Sequence, residues 1–210
     1  VNYYHGTDSF SSNGFYFNLG PRQVKGSFVD AVNSLALFEE IFGPYPYPKL
    51  DLVSSPEHGG SAQSPPSLVF VGPIFNLTEA QMAELFGGDP SLAYGVVAHE
   101  VAHQWWGSVI APQNDYHYWW VESLAEVGYG MFLTRNKEDA GRFLGHVAGW
   151  RKAALEADAF ASIMDASSRG PNPGYQGQVY NKGPYIFYTI ERIIGQKMFY
   201  EYLRSFIASY

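Results

Sequence analysis

The residues in this chain best suited to chemistry are two histidines four positions apart, His99 and His103, with Glu100 between them. They lie in the run Val96-Val97-Ala98-His99-Glu100-Val101-Ala102-His103, which has helical character, and positions i and i+4 of a helix share one face a turn apart. Two imidazoles so placed can converge on one zinc, with Glu100 beside them to accept a proton from a metal-activated water. A catalytic zinc needs a third protein ligand and an open position. Glu122, nineteen residues after His103, is the candidate, in the apolar and aromatic run Trp119-Trp120-Val121-Glu122-Ser123-Leu124-Ala125-Glu126. A carboxylate among Trp and Val is either at the surface or bound to something, because burying it unpaired is costly. Glu126 follows one helical turn later and is placed to orient a ligand histidine through its other ring nitrogen. The competing readings are two histidines on a buried amphipathic helix and two solvated helix charges.

These residues must be held by regular elements, and the hydrophobic periodicity supplies them. Phe28, Val32, Leu35, Leu37, Phe38 and Ile41 follow helical spacing, so a helix is expected over Pro21 to Phe42. Gly43 ends it, and Pro44, Pro46 and Pro48 make an extended connection. Two short strands rich in Val, Leu and Phe follow, Leu50 to Ser54 and Leu68 to Gly72, separated by a turn-forming stretch from Pro56 to Pro66. A helix is expected to start at Thr78 and Glu79 and to close at Gly87 and Gly88. Further helices are read over Ser91 to Trp106, Trp119 to Arg135, Glu138 to Ala157, Pro184 to Ile194 and Gln196 to Ser209, with Ser167 to Gly177 a Ser-, Pro-, Gly- and Asn-rich loop. The fold class is α+β: a mixed α/β lobe with a small sheet over residues 1–77, then a mostly helical lobe over 78–210 carrying the site, in one two-lobed domain.

Composition narrows the function classes. The chain has 210 residues and is 46% hydrophobic, which suits a globular protein. Apolar runs such as Ser67 to Gly72 fall far short of the roughly 20 residues of a membrane-spanning helix, so no spanning segment is expected. Val1 to Phe10 lack a basic region followed by an apolar stretch, so no secretory leader is read there. There is no cysteine, which leaves histidine and carboxylate as the zinc ligands. A net charge of −7, with 13 Lys and Arg spread along the chain, argues against nucleic-acid binding. Aromatic residues make up 17% of the chain, and the grouped Trp105, Trp106, Trp119 and Trp120 read mostly as core.

HExxH followed by eighteen residues and a glutamate resembles the zinc signature of the gluzincins, and specifically of the aminopeptidase N family. Three further stretches strengthen the resemblance, all in family order. Pro44-Tyr45-Pro46-Tyr47-Pro48-Lys49-Leu50-Asp51-Leu52-Val53 is similar to the family's YPLPKLDLV segment. Trp119 to Ala125 is similar to its W-x-x-E-G-F-A stretch, and Tyr180-Asn181-Lys182-Gly183 to its Y-x-K-G segment. The resemblance runs from about Pro21 to the end. It implies a thermolysin-like catalytic domain with one Zn2+ per chain at the lobe junction, acting on peptides. It also implies that Glu100 takes the proton of water and passes it to the departing amine, and that Tyr180 hydrogen-bonds the oxyanion. Flanking domains of a longer parent protein, an amino-terminal β domain and a carboxy-terminal helical one, belong to the same implication and are not in this chain.

One family segment is altered. The G-x-M-E-N stretch, whose glutamate grips a peptide's free amino terminus, corresponds here to Glu57-His58-Gly59-Gly60-Ser61-Ala62-Gln63-Ser64-Pro65-Pro66, and its glutamate becomes Gln63 or Ser64. Gln63 is thus the candidate substrate-binding residue. An amide accepts from an ammonium without the charge-assisted part of the contact. Glu57 is a possible substitute carboxylate. The leading reading is a zinc peptidase, aminopeptidase-like. Its rivals are a zinc hydrolase of other specificity, an endopeptidase or an enzyme of non-peptide substrates, and a non-catalytic scaffold that kept the fold.

Overall fold

A computed structural model of the chain describes residues 2–5, 9–12, 15–18, 21–72, 75, 77, 80–81, 84, 91–135, 140–157, 162–168 and 173–210. The chain begins with strands β1 (Asn2–His5), β2 (Ser9–Ser12) and β3 (Phe15–Asn18), then the long helix α1 (Pro21–Phe42), then β4 (Asp51–Ser54), β5 (Ala62–Gln63) and β6 (Leu68–Val71). One sheet has the order β1-β4-β6-β5, with β1, β4 and β6 parallel and β5 antiparallel at the edge beside β6; β2 and β3 form a separate hairpin. In β4 and β6 alternate residues are buried, Leu52 and Ser54, Val69 and Val71, the period of two expected of a sheet with one covered face.

Helices follow: α2 (Ser91–Ala102), α3 (Trp119–Arg135), α4 (Ala140–Ala157), α5 (Ile163–Ser168), α6 (Pro173–Gly177), a π turn (Gln178–Lys182), α7 (Gly183–Ile194) and α8 (Gln196–Ala208). Together with the small sheet they make the α+β fold that the sequence predicts. No helix among the described residues is long and apolar enough to cross a membrane.

The core is centred where α1 meets α2. Phe38, Phe42, Trp105 and Trp106 are fully buried and pack edge to face, with Phe42 and Trp106 centroids 5.3 Å apart. Burying a side chain of this kind contributes about 1.5–3 kcal/mol, so the cluster anchors α2 and the turn after it to α1. Trp119 and Trp120 are only partly buried.

Strands β1 to β3 and the π turn have no counterpart in the sequence-based expectation, and three further elements depart from it. β5 arises inside the stretch expected to be a turn; two residues are too few to carry a period. α2 stops at Ala102, and the chain turns through His103 to Trp105 before Trp106 bridges to Ile110. The expected loop from Ser167 to Gly177 contains the end of α5 and all of α6. Pro173 is tolerated at a first helical position, and buried Tyr175 with the Gln178 amide donating to Ala157 O at 3.0 Å fastens the segment to α4, so tertiary contacts override composition. The helix expected from Thr78 to Gly88 lies largely outside the described residues.

Candidate metal centre

α2 is apolar on nearly all sides, with Val97, Ala98, Val101 and Ala102 fully buried, so it can only run through the interior. It packs against α3 at close range: a Cβ on Gly128 would lie 2.8 Å from Ala102 Cβ and 3.2 Å from Phe38. Only a residue without a side chain permits that approach, which brings Glu122 of α3 against His99 of α2 and His103 in the turn directly after it.

The three atoms offered by His99, His103 and Glu122 form a small triangle. The Nε2 atoms of His99 and His103 are 3.1 Å apart, and they lie 3.3 and 3.2 Å from Glu122 Oε2. The hydrogen bonds on the far side of each ring determine what these atoms are. His99 Nδ1 is 3.0 Å from Glu126 Oε2, and His103 Nδ1 is 2.9 Å from the Trp106 carbonyl oxygen. Both partners only accept, so each Nδ1 carries the proton and each Nε2 turns a lone pair inward. Two lone pairs and a carboxylate oxygen therefore converge in a site where His99 and His103 are each 8% exposed. Such an arrangement repels itself unless a positive charge, a proton or a metal ion, sits in it. The ligand bonds of tetrahedral zinc set neighbouring donor atoms about 3.3–3.5 Å apart, so donor type and spacing both fit. The group can hold a metal ion.

The electrostatics point the same way. Burial works against charge on both imidazoles, yet the carboxylates outweigh it: Glu122 and Glu126 hold His99 well above the usual histidine range, and Glu122 raises His103. Burial would raise Glu122, and His103 and His99 pull it far below the ordinary carboxylate range. The cluster thus favours positive charge among its donors. Glu100, 7% exposed, has its carboxyl raised by burial against the opposing pull of His103 and His99.

Seven residues singled out from sequence as candidate site residues face one cavity of about 940 Å³: His99, Glu100, His103, Glu122, Glu126, Tyr180 and Gln63. Tyr180 sits on the π turn with its ring stacked 6.1 Å from that of His99, and burial, then the charge of Glu122, push its phenol far above the ordinary tyrosine range. Ser123, next to Glu122, accounts for that position: its hydroxyl bonds the carbonyls of Trp119 at 2.6 Å and Val179 at 2.7 Å, and a Cβ on Gly183 would collide with it at 1.9 Å. Glu126 is not the free surface glutamate of the competing reading. Gln63, at the sheet edge, is exposed into the cavity, and Ser64 beside it also lines the cavity but commits its hydroxyl proton to the Glu100 carbonyl oxygen at 2.6 Å. Glu57 is exposed and outside the lining of this cavity.

Sequence reasoning missed three participants. Tyr175 packs edge-on against Tyr180 at 5.8 Å, and burial with Glu122 pushes its phenol up to about 12. Tyr118 lies at the cavity rim, raised by burial and by Glu122 and Glu100. Gln104, fully buried, bonds the β5–β6 connection. The first two precede recognised residues by four or five positions, a weak helical signal; nothing local marks the third.

A buried helix pair presenting two histidines and a glutamate to one cation, with a second glutamate beside them, is the framework of a metallopeptidase site. Residues 27–210 match the family model of the peptidase family M1 domain. The chain belongs to peptidase family M1. Among curated relatives it is similar to leukotriene A-4 hydrolase of Xenopus laevis, 25% identical over 198 residues that cover 86% of this chain and 29% of that protein. It is also similar to two proteins of Oryza sativa subsp. japonica. Aminopeptidase M1-A is 28% identical over 212 residues, 90% of this chain and 22% of that protein, and aminopeptidase M1-D is 28% identical over 193 residues, 85% and 21%. The chain thus spans between 21% and 29% of the length of these relatives.

Proposed function

We propose that this chain is the catalytic domain of a zinc-dependent peptidase, aminopeptidase-like, that hydrolyses peptide bonds by attack of water. The observation that carries the reading is the inward-facing pair of Nε2 lone pairs, fixed by Glu126 and the Trp106 carbonyl and closed by Glu122 Oε2. His99, His103 and Glu122 would hold one zinc, and Glu126 would orient His99 and raise its basicity. When bound, zinc supplies an acidified water and Lewis-acid polarisation of the scissile carbonyl. Glu100 then takes the proton of the attacking water and hands it to the departing amine. Tyr180 donates its hydroxyl to the oxygen that gains charge, a contact worth about 3 kcal/mol in comparable sites. Gln63, at the cavity edge, meets the substrate. The arrangement corresponds to a thermolysin-like domain of two lobes, residues 1–77 and 78–210. Domains of a longer parent protein flank it in this reading, supported by the limited share of its relatives that the chain covers.

The exposed neutral amide of Gln63 and the Ser64 hydroxyl already bonded to the Glu100 carbonyl leave no carboxylate at either position, which favours a second reading of specificity, cleavage within a chain or of amino-blocked substrates. Hydrolysis of matched free and amino-blocked peptides, before and after chelation and zinc add-back, tests both. Zinc-dependent cleavage with preference for the free amino end supports the aminopeptidase reading. Preference for the blocked peptide moves the assignment to the second, and no cleavage of either by zinc-loaded protein contradicts the peptidase reading.

A further inference from the structure

One wall of the cavity, the stretch 60–66 that includes edge strand β5, carries none of the three converging donors, and one side chain from the turn that follows α2 makes most of the hydrogen bonds that hold it. Gln104 follows His103 and is fully buried. Its Nε2 donates to Ser64 Oγ at 2.6 Å and Pro65 O at 3.0 Å and lies 3.5 Å from Leu68 O. Its Oε1 accepts from Ser67 N–H at 2.7 Å and from the Tyr45 hydroxyl at 3.3 Å. Ser64 in turn spends its own proton on the Glu100 carbonyl oxygen, 2.6 Å away.

These partners leave little choice of residue. Three acceptors lie on one side of a planar group and two donors on the other, which only a carboxamide of this length satisfies. A carboxylate would set oxygen against the carbonyls of Pro65 and Leu68, and an apolar isostere would leave several buried groups unpaired. The proline-rich segment before β4 joins the same network, because its Tyr45 hydroxyl is shared between Gln104 Oε1 and the Lys49 carbonyl oxygen, 3.0 Å away. Ser67, with φ of 62°, is the one non-glycine residue of positive φ among the described residues, and Gln104 holds its N–H.

We infer that Gln104 is a positioning residue for substrate: it clamps β5 and the following turn onto α2 at the backbone of Glu100, so that a peptide lying along this wall meets Glu100 at a fixed distance. The inference rests on the peptidase reading above. The clamp acts on the wall and leaves the metal donors of α2 and α3 in place, so its loss weakens substrate binding before it touches metal or chemistry.

The test compares wild type, Gln104→Glu, which keeps the size of the side chain, and Ser64→Ala. Three quantities are read: steady-state KM and kcat with a peptide substrate, zinc content, and amide hydrogen exchange over residues 60–68. The expected result for Gln104→Glu is KM raised about tenfold with kcat within about threefold of wild type, one zinc retained, and faster exchange confined to 60–68. Ser64→Ala is expected to raise KM about threefold. An unchanged KM in both variants, or a fall in kcat that tracks zinc loss, overturns the inference. If Gln104→Glu does not accumulate as folded protein, Ser64→Ala decides alone: raised KM supports the clamp and unchanged KM overturns it. Failure of the peptidase reading is seen separately, as wild type without zinc-dependent hydrolysis; unchanged exchange over 60–68 in the variants then overturns the clamp by itself.

Discussion

The metal centre and the wall that faces it are built by opposite means. His99, Glu122 and Glu126 stand on two buried helices and His103 in the turn that directly follows the first, each pair four residues apart, and packing of Phe38, Ala102 and Gly128 fixes one helix against the other. The wall over 60–66 has a two-residue strand and turns, and one carboxamide from the turn after α2 supplies much of its hydrogen bonding. Rigid chemistry is therefore carried by helix geometry and hydrophobic burial, whereas the surface that would meet a substrate is held by polar contacts that single substitutions can undo. This division is consistent with a site whose reaction is fixed and whose substrate range is adjustable.

Substitutions can break that contrast one piece at a time. Glu100→Gln removes the proton carrier while leaving the three donors, and we expect kcat/KM to fall by about 10²–10⁴ with zinc content unchanged; steady-state kinetics beside metal analysis checks it. Gly183→Ala drives a methyl into the Ser123 hydroxyl and displaces the turn that carries Tyr180. A misplacement of this kind costs about 10²-fold in kcat, with zinc retained and KM little changed. Glu126→Gln keeps a hydrogen-bonding side chain behind His99 but removes its charge, and zinc affinity measured by competition with a chelator is expected to drop about 10- to 100-fold. The smallest effect belongs to the wall's backbone: Ser67→Gly removes the cost of a left-handed residue and adds the flexibility of glycine, so the free energy of unfolding, measured by denaturant titration, should rise by no more than about 1 kcal/mol, with kinetics unchanged.

The same contrast explains what could be read from the sequence. α1 spans Pro21–Phe42 and α3 spans Trp119–Arg135, both as their periodicity predicts, because long amphipathic or buried helices write a strong local pattern. The pairing of Glu122 with the histidines was legible because a carboxylate in an aromatic helix needs a partner. The role of Gln104 was not, since its partners Tyr45, Ser64 and Ser67 are distant in sequence and ordinary in type. Ser167 to Gly177 misled for the reverse reason: its Gly, Pro and Ser content reads as loop, and contacts to α4 make much of it helical. The choice between Gln63 and Ser64 in the altered segment needed side-chain direction, which alternation over two residues cannot give.

Zinc stoichiometry of the purified protein, alongside His103→Ala and Glu122→Ala, tests the central claim most directly. One tightly held zinc per chain is expected in the wild type and its loss in both variants. A wild type that binds no zinc even after the metal is added back, or variants that keep it, would contradict the account.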